Sequence, residues 1–225
     1  MSTSVLAFGA HPDDAELAYG ATIARLAGLG ERVSIVDLTA GERASRGDAR
    51  TREREAGEAA GLLGGGRVCA GLPDQGLVGE DLDQRRKVVE IIREYRPSIV
   101  LAPHPAEGHP DHRAASQLVE LAVEEARLWR SAARGERHVV DQLFFAWPAA
   151  GADQGGGAGG GGEMGGGLVV DVTGFLPRKL DALRAHGSQF AAGEGPQTRL
   201  AGGGFLELVE ARARIAGAAI GAQYG

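Results

Sequence analysis

Val5-Leu-Ala-Phe-Gly-Ala10 runs straight into His11-Pro12-Asp13-Asp14, and later in the chain Ile99-Val-Leu-Ala-Pro103 is followed by His109-Pro110-Asp111-His112. Each apolar run is short and unalternated, which is how a strand buried on both faces reads. Ser4 to Ala10 is therefore expected as a strand, Glu16 to Leu29 as a helix, and Arg32 to Leu38 as a second strand, with Gly28-Leu-Gly30 as the helix stop. A helix from Arg50 to Leu63, a strand from Arg67 to Ala70 and a helix from Asp83 to Tyr95 follow. The last of these carries Val88, Val89, Ile91, Ile92 and Tyr95 as a stripe, and Pro97 ends it before the strand Ile99 to Pro103. Strand–helix repeats of this length imply right-handed crossovers, hence an α/β fold with a mostly parallel sheet between two helical layers.

Ligands of such sheets bind outside the carboxyl ends of the strands. Both His/Asp clusters fall there. Pro12 and Pro110 hold His11 and His109 in extended or turn conformation before the next helix begins, which sets Asp14 near a helix N-terminus. After Pro148 the chain changes character. Gly151 to Gly167 reads GADQGGGAGGGGEMGGG and is expected as a flexible surface loop inside one domain spanning residues 1–225. A strand is expected at Leu168 to Val172, then helices at Phe175 to His186 and Phe205 to Ala219. The second carries Leu208, Ala211, Ile215 and Ala219 as its core-facing stripe.

Composition narrows the function classes. The 225 residues suit one sizeable core, and 43% hydrophobic with 24% charged residues is ordinary for a globular protein. A formal net charge of −6 argues against nucleic acid as a partner, and the arginines from Arg43 to Arg54 alternate with acids rather than forming a basic stripe. No apolar run approaches the roughly 20 residues of a membrane span. The amino terminus lacks a charged n-region and cleavage site, so the expected location is cytoplasmic. Cys69 is the sole cysteine, which excludes an internal disulfide and thiolate zinc sites; within Arg67-Val-Cys-Ala70 it reads as a buried, inert thiol. No Walker motif or spaced G-x-G-x-x-G follows a strand, which leaves nucleotide sites without support.

A catalytic zinc keeps three protein ligands and an open position, and accepts imidazole nitrogen and carboxylate oxygen. His11, Asp14 and His112 would fill such a set. Adjacent Asp13 and Asp14 do not easily bind one ion from a turn, which frees one of them as a base. His109 lies three residues before His112, with Asp111 placed to orient or charge it, and a protonated imidazole there would stabilise an oxyanion or protonate a leaving amine. Two histidines and a carboxylate also serve non-haem iron oxygenases, but those sit on β-sandwich scaffolds. A non-catalytic metal- or sugar-binding module is the third reading.

The motifs Ala-His-Pro-Asp-Asp-x-Glu-Leu at Ala10 to Leu17 and His-Pro-Asp-His at His109 to His112 resemble the PIG-L/LmbE-like deacetylases. Val36-Asp-Leu-Thr-Ala-Gly-Glu42, Arg52-x-x-Glu55, Leu72-Pro-Asp74, Lys87 through Ala102, Ser188-Gln-Phe190 and Phe205 through Ala213 are similar to its bacillithiol-pathway branch. The resemblance implies a Rossmann-like core, zinc or another divalent ion such as Fe2+ or Co2+, a small amino-sugar substrate and a homo-oligomer. It further implies His11, Asp14 and His112 as metal ligands, Asp13 as general base, His109 as the transition-state imidazole with Asp111 as its partner, and Arg52 as a substrate-binding arginine. The implied substrate is N-acetylglucosaminyl-malate, with other N-acetylated glycosides (mycothiol-type precursors, chitooligosaccharides, antibiotic aminosugars) as the alternative. Gly108 stands where many relatives of that branch carry arginine, and Gly187 replaces a basic residue.

Overall fold

The computed structural model describes residues 4–146, 167–191, 196–202 and 204–225. Five parallel strands, β1 (Val5–Gly9), β2 (Val33–Thr39), β3 (Gly66–Leu72), β4 (Ile99–Ala102) and β5 (Gln142–Phe145), form one sheet in the order β3-β2-β1-β4-β5. Val5 pairs with Val33 on one side and Ile99 on the other, which makes β1 the central strand. Its five residues are all buried, as an apolar run without alternation requires. The fold is the α/β, Rossmann-like one read from the sequence.

Helices α1 (Asp14–Gly28), α2 (Ala49–Leu63), α3 (Leu82–Tyr95) and α4 (Pro110–Ala126) each follow a strand, and α5 (Leu176–Ala185), α6 (Gly187–Phe190) and α7 (Phe205–Ala218) complete the described helices. One face of the sheet packs Leu6, Phe8 and Val36 against Val88 and Ile92 of α3 and Leu118 and Val119 of α4. The other packs Val5, Ala7 and Ile35 against Ile23 of α1, Leu63 of α2 and Ala182 of α5. Burying each of the larger side chains is worth about 1.5–3 kcal/mol. Caps fit the sequence: the Asp48 carboxylate accepts from Thr51 N at 2.7 Å, Asp81 accepts from Asp83 N and Gln84 N, and Gly64 leaves α2 in the left-handed region.

Four expectations change. Leu168–Val172 is not a strand; it runs irregularly beside the chain's end, with Val172 N donating to Tyr224 O at 3.0 Å in place of a sheet ladder. The fifth strand is β5, four partly exposed residues whose short apolar run Leu143–Phe145 is not among the strands expected from the sequence. On α7 the buried residues are Val209, Ala213 and Gly217, whereas Leu208 is 37% and Ile215 73% exposed. The returning C-terminal segment selects that face, as Gly225 N donates to Ala213 O at 2.8 Å. Cys69 is exposed rather than buried because β3 is an edge strand; partial burial and the nearby acids Asp37, Glu42 and Glu53 nevertheless push its thiol up and keep it protonated. The glycine-rich run from Gly151 to Gly166 lies outside the described residues. None of the described helices is long and apolar enough to cross a membrane.

Candidate metal centre and catalytic cleft

Strand order reverses between β1 and β4, and a crevice opens outside their carboxyl ends. The β1 exit is a tight turn. His11 N donates to Asp14 Oδ2 at 2.8 Å and Asp14 N donates to His11 O at 3.3 Å. The turn leaves little room at Gly9, where a Cβ would lie 3.0 Å from the Asp14 Cβ. Between them Asp13 is held at φ 107°, a left-handed backbone that costs a non-glycine residue about 1–3 kcal/mol. Arg52 opposes that cost from α2. Its Nη2 donates to Asp13 Oδ2 at 3.2 Å and, closely, to Pro12 O, while Nη1 reaches Gly41 O at 3.4 Å. At the β4 exit His109 caps α4, its Nδ1 accepting from Asp111 N at 3.2 Å, and Pro110 opens the helix. His112 follows on the first turn.

The two exits meet. Asp14 Oδ2 lies 3.4 Å from His11 Nδ1 and 3.2 Å from His112 Nε2, and the His11 and His112 rings are 5.4 Å apart. His109 stands 4.9 Å from the His112 ring and 5.1 Å from that of His11, on the exposed side. The ring nitrogens of His11, His109 and His112 all lie within 4.8 Å of one another. The 3.2–3.4 Å separations of Asp14 Oδ2 from the His11 and His112 nitrogens suit ligands that each sit roughly 2 Å from one ion, with His109 beside them on the exposed side.

The electrostatics point the same way. Burial alone would lower the His11 imidazole, but its hydrogen bond to Asp14, with Asp74 adding charge, pushes it up to about 9. Burial is likewise overcome at His112, which the Asp14 charge raises to about 10. Asp14, although buried, is held well below the usual carboxylate range by His112 and His11. This is a pocket of carboxylates that stabilises positive charge. Donors of nitrogen and oxygen in that setting fit a divalent cation of the zinc type. Asp13 behaves in the opposite way: burial and the Asp14 charge push it up to about 6, against Arg52. A carboxylate poised there suits proton transfer near neutral pH. Burial and the neighbouring imidazoles His112 and His11 lower His109, which keeps it neutral with Nε2–H free to donate.

Six of the seven residues singled out in the sequence line this crevice and the seventh, Asp111, is buried behind His11, with two differences in contact. The Asp111 carboxylate turns to His11, Oδ2 to Nε2 at 3.2 Å; only its backbone N–H reaches His109. Arg52 is buried and spends both terminal nitrogens on Pro12, Asp13 and Gly41, although it also lines the cleft. Sequence reasoning gave no role to Asp74, whose Oδ1 is 3.2 Å from His11 Nε2, nor to Glu107, 3.9 Å from His112 Nδ1. The signal for Asp74 was present, because it too is an acid just past a strand end. Above these groups the cleft encloses about 360 Å³, with Arg43, Arg199 and Gln189 among its walls. The Tyr19 hydroxyl lines it, buried and without a hydrogen-bond partner among the described residues.

A sequence profile described as PIG-L, GlcNAc-PI de-N-acetylase, matches residues 6–123. A 1D-myo-inositol 2-acetamido-2-deoxy-alpha-D-glucopyranoside deacetylase from Acidothermus cellulolyticus is 32% identical, the match covering 87% of this chain and 82% of the relative. A diacetylchitobiose deacetylase from Thermococcus kodakarensis is 34% identical over 55% of this chain and 50% of its own length. Among solved structures, a conserved protein of Thermus thermophilus superposes with a TM-score of 0.84 at 34% identity, covering 99% of this chain and 91% of that one.

Proposed function

This chain belongs to the PIG-L family, and on that footing we propose that it is a metal-dependent hydrolase that removes the acetyl group from an N-acetylglucosamine conjugate. The observation that carries the reading is the meeting of His11, Asp14 and His112 around one carboxylate oxygen, with Asp13 strained and raised beside them. A divalent cation held by those three residues, zinc or alternatively Fe2+ or Co2+, would supply Lewis acidity toward the acetyl carbonyl and the attacking water. The protein's own groups do the rest. Asp13, its carboxylate fixed by Arg52, takes the proton of the attacking water as the new C–O bond forms at the carbonyl carbon. His109 donates Nε2–H to the oxyanion, its Nδ1 already engaged by Asp111 N. When the C–N bond breaks, Asp13 returns its proton to the leaving amine, giving acetate and a free amino sugar.

For the aglycone, the relative matched over most of the chain favours 1D-myo-inositol. Gly108, in place of an arginine, weakens the malate reading. A cytoplasmic location and a homo-oligomeric state belong to the same proposal. The test is an assay for free primary amine with zinc-loaded protein and three substrates: the N-acetylglucosaminyl conjugates of inositol and of malate, and diacetylchitobiose. Release from at least one is expected. No release from any of them overturns the proposal.

A further inference from the structure

His11 offers one ring nitrogen to each of two different environments. Nδ1 faces Asp14 at 3.4 Å, toward the centre shared with His112. Nε2 faces away from it, 3.2 Å from Asp111 Oδ2 in hydrogen-bonding geometry and 3.2 Å from Asp74 Oδ1. Both carboxylates are buried. Backbone donors hold both: Gln75 N gives to Asp111 Oδ2 at 2.7 Å, and Arg43 N gives to Asp74 Oδ2 at 2.8 Å. Among the described residues three non-glycines have positive φ: Arg96, which ends α3, Asp13 beside His11, and Gln75, whose N–H holds Asp111. Strain concentrated around one imidazole is a mark of a group that must be held in one orientation.

From this arrangement we infer that Asp111 accepts Nε2–H of His11, with the Asp74 carboxylate beside it, and fixes the tautomer that presents Nδ1 as a ligand, so that both act as positioning residues for the metal rather than as partners of His109. The inference rests on the metal reading above and names two residues that tune it. A carboxylate behind a ligating histidine locks the ring and raises its basicity, and losing such a partner costs about 10–100-fold in metal affinity. Asp111 would then act on the opposite side of His11 from the reacting carbonyl.

The test compares zinc dissociation constants, by chelator competition, for wild type, Asp111→Asn, Asp74→Asn and His109→Ala, with thermal unfolding of each zinc-free protein as the folding control. The expected result is a loss of about 10–100-fold for Asp111→Asn, a loss in the same direction for Asp74→Asn, and no change for His109→Ala. In zinc-loaded wild type, nitrogen-15 shifts should show His11 protonated at Nε2; this readout stands even where a variant fails to fold. Protonation at Nδ1, or both Asn variants folded with wild-type zinc affinity, overturns the inference alone. A wild type that binds no zinc overturns it together with the proposed function.

Discussion

Asp13 combines features that conflict unless the residue is used. It is buried, raised to about 6, held at φ 107°, and tied to Arg52. Asn keeps its shape and tolerates left-handed backbone, but cannot take a proton. Asp13→Asn is therefore expected to lower kcat by about 10²–10⁴-fold while retaining one zinc per chain by metal analysis; loss of the zinc would reassign Asp13 as a ligand. Tyr19 poses the complementary case. Its buried hydroxyl has no partner among the described residues and faces the cleft, as a group waiting for substrate does. Tyr19→Phe should raise KM several-fold with little change in kcat, and should not lower the melting temperature of the free protein, because no hydrogen bond is lost. An unchanged KM would make the hydroxyl a bystander. Individual identities were largely legible: His11, Asp13, Asp14, His109, Asp111 and His112 stand out as residue types at strand exits. Their orientations were not. That Asp111 faces His11 depends on Gln75 approaching from β3, a contact between residues 36 apart in the chain.

At the level of elements, α1, α2 and the β2–β3 edge are joined by a buried ionic cluster. Arg67 donates to both Asp37 oxygens, at 2.6 and 2.8 Å, and to Glu16, which also lies 3.2 Å from His186 Nε2. Burial would raise Glu16, yet Arg67 and His186 hold it down to about 2. Glu16 therefore contributes stability above its unfolded value of 4.5, and that contribution is lost as pH falls toward about 2. Replacing Arg67 with Met leaves buried Asp37 without its cation and Glu16 with only His186, and should cost about 3–5 kcal/mol at pH 7. Acid would then protonate those carboxylates, so the gap in melting temperature between wild type and Arg67→Met should narrow from pH 7 to pH 3. A gap that stays constant would mean that Glu16 is not held by Arg67. The repeated βα units were legible because each buries a continuous apolar strand and an amphipathic helix. The core face of α7 was misread, to nearly the opposite side of the helix, because a short helix rich in alanine offers two similar faces, and only the returning segment at Tyr224 and Gly225 selects between them. β5 is a partly exposed edge strand, and its short apolar run Leu143–Phe145 is not among the strands expected from the sequence.

The whole molecule is organised around the reversal of strand order between β1 and β4. One half of the sheet brings His11, Asp13 and Asp14; the other brings His109, Asp111 and His112; β3 adds Asp74 from the side, and α2 adds Arg52. Each contributing segment is a strand exit or an adjacent helix end, so the chemistry rests on the rigid core. Zinc-free protein should therefore keep its fold, and metal should act mainly on catalysis. The measurement that tests this most directly is a zinc titration of chelator-treated protein, scored by amine released from the N-acetylglucosaminyl conjugate of 1D-myo-inositol or from whichever tested conjugate is turned over. No release is expected without metal, and activity should rise in proportion to zinc until one ion is bound per chain, with His11→Ala inactive throughout. Full amine release from metal-free protein, or none from any conjugate with one zinc bound at His11, Asp14 and His112, would contradict a metal-dependent deacetylase.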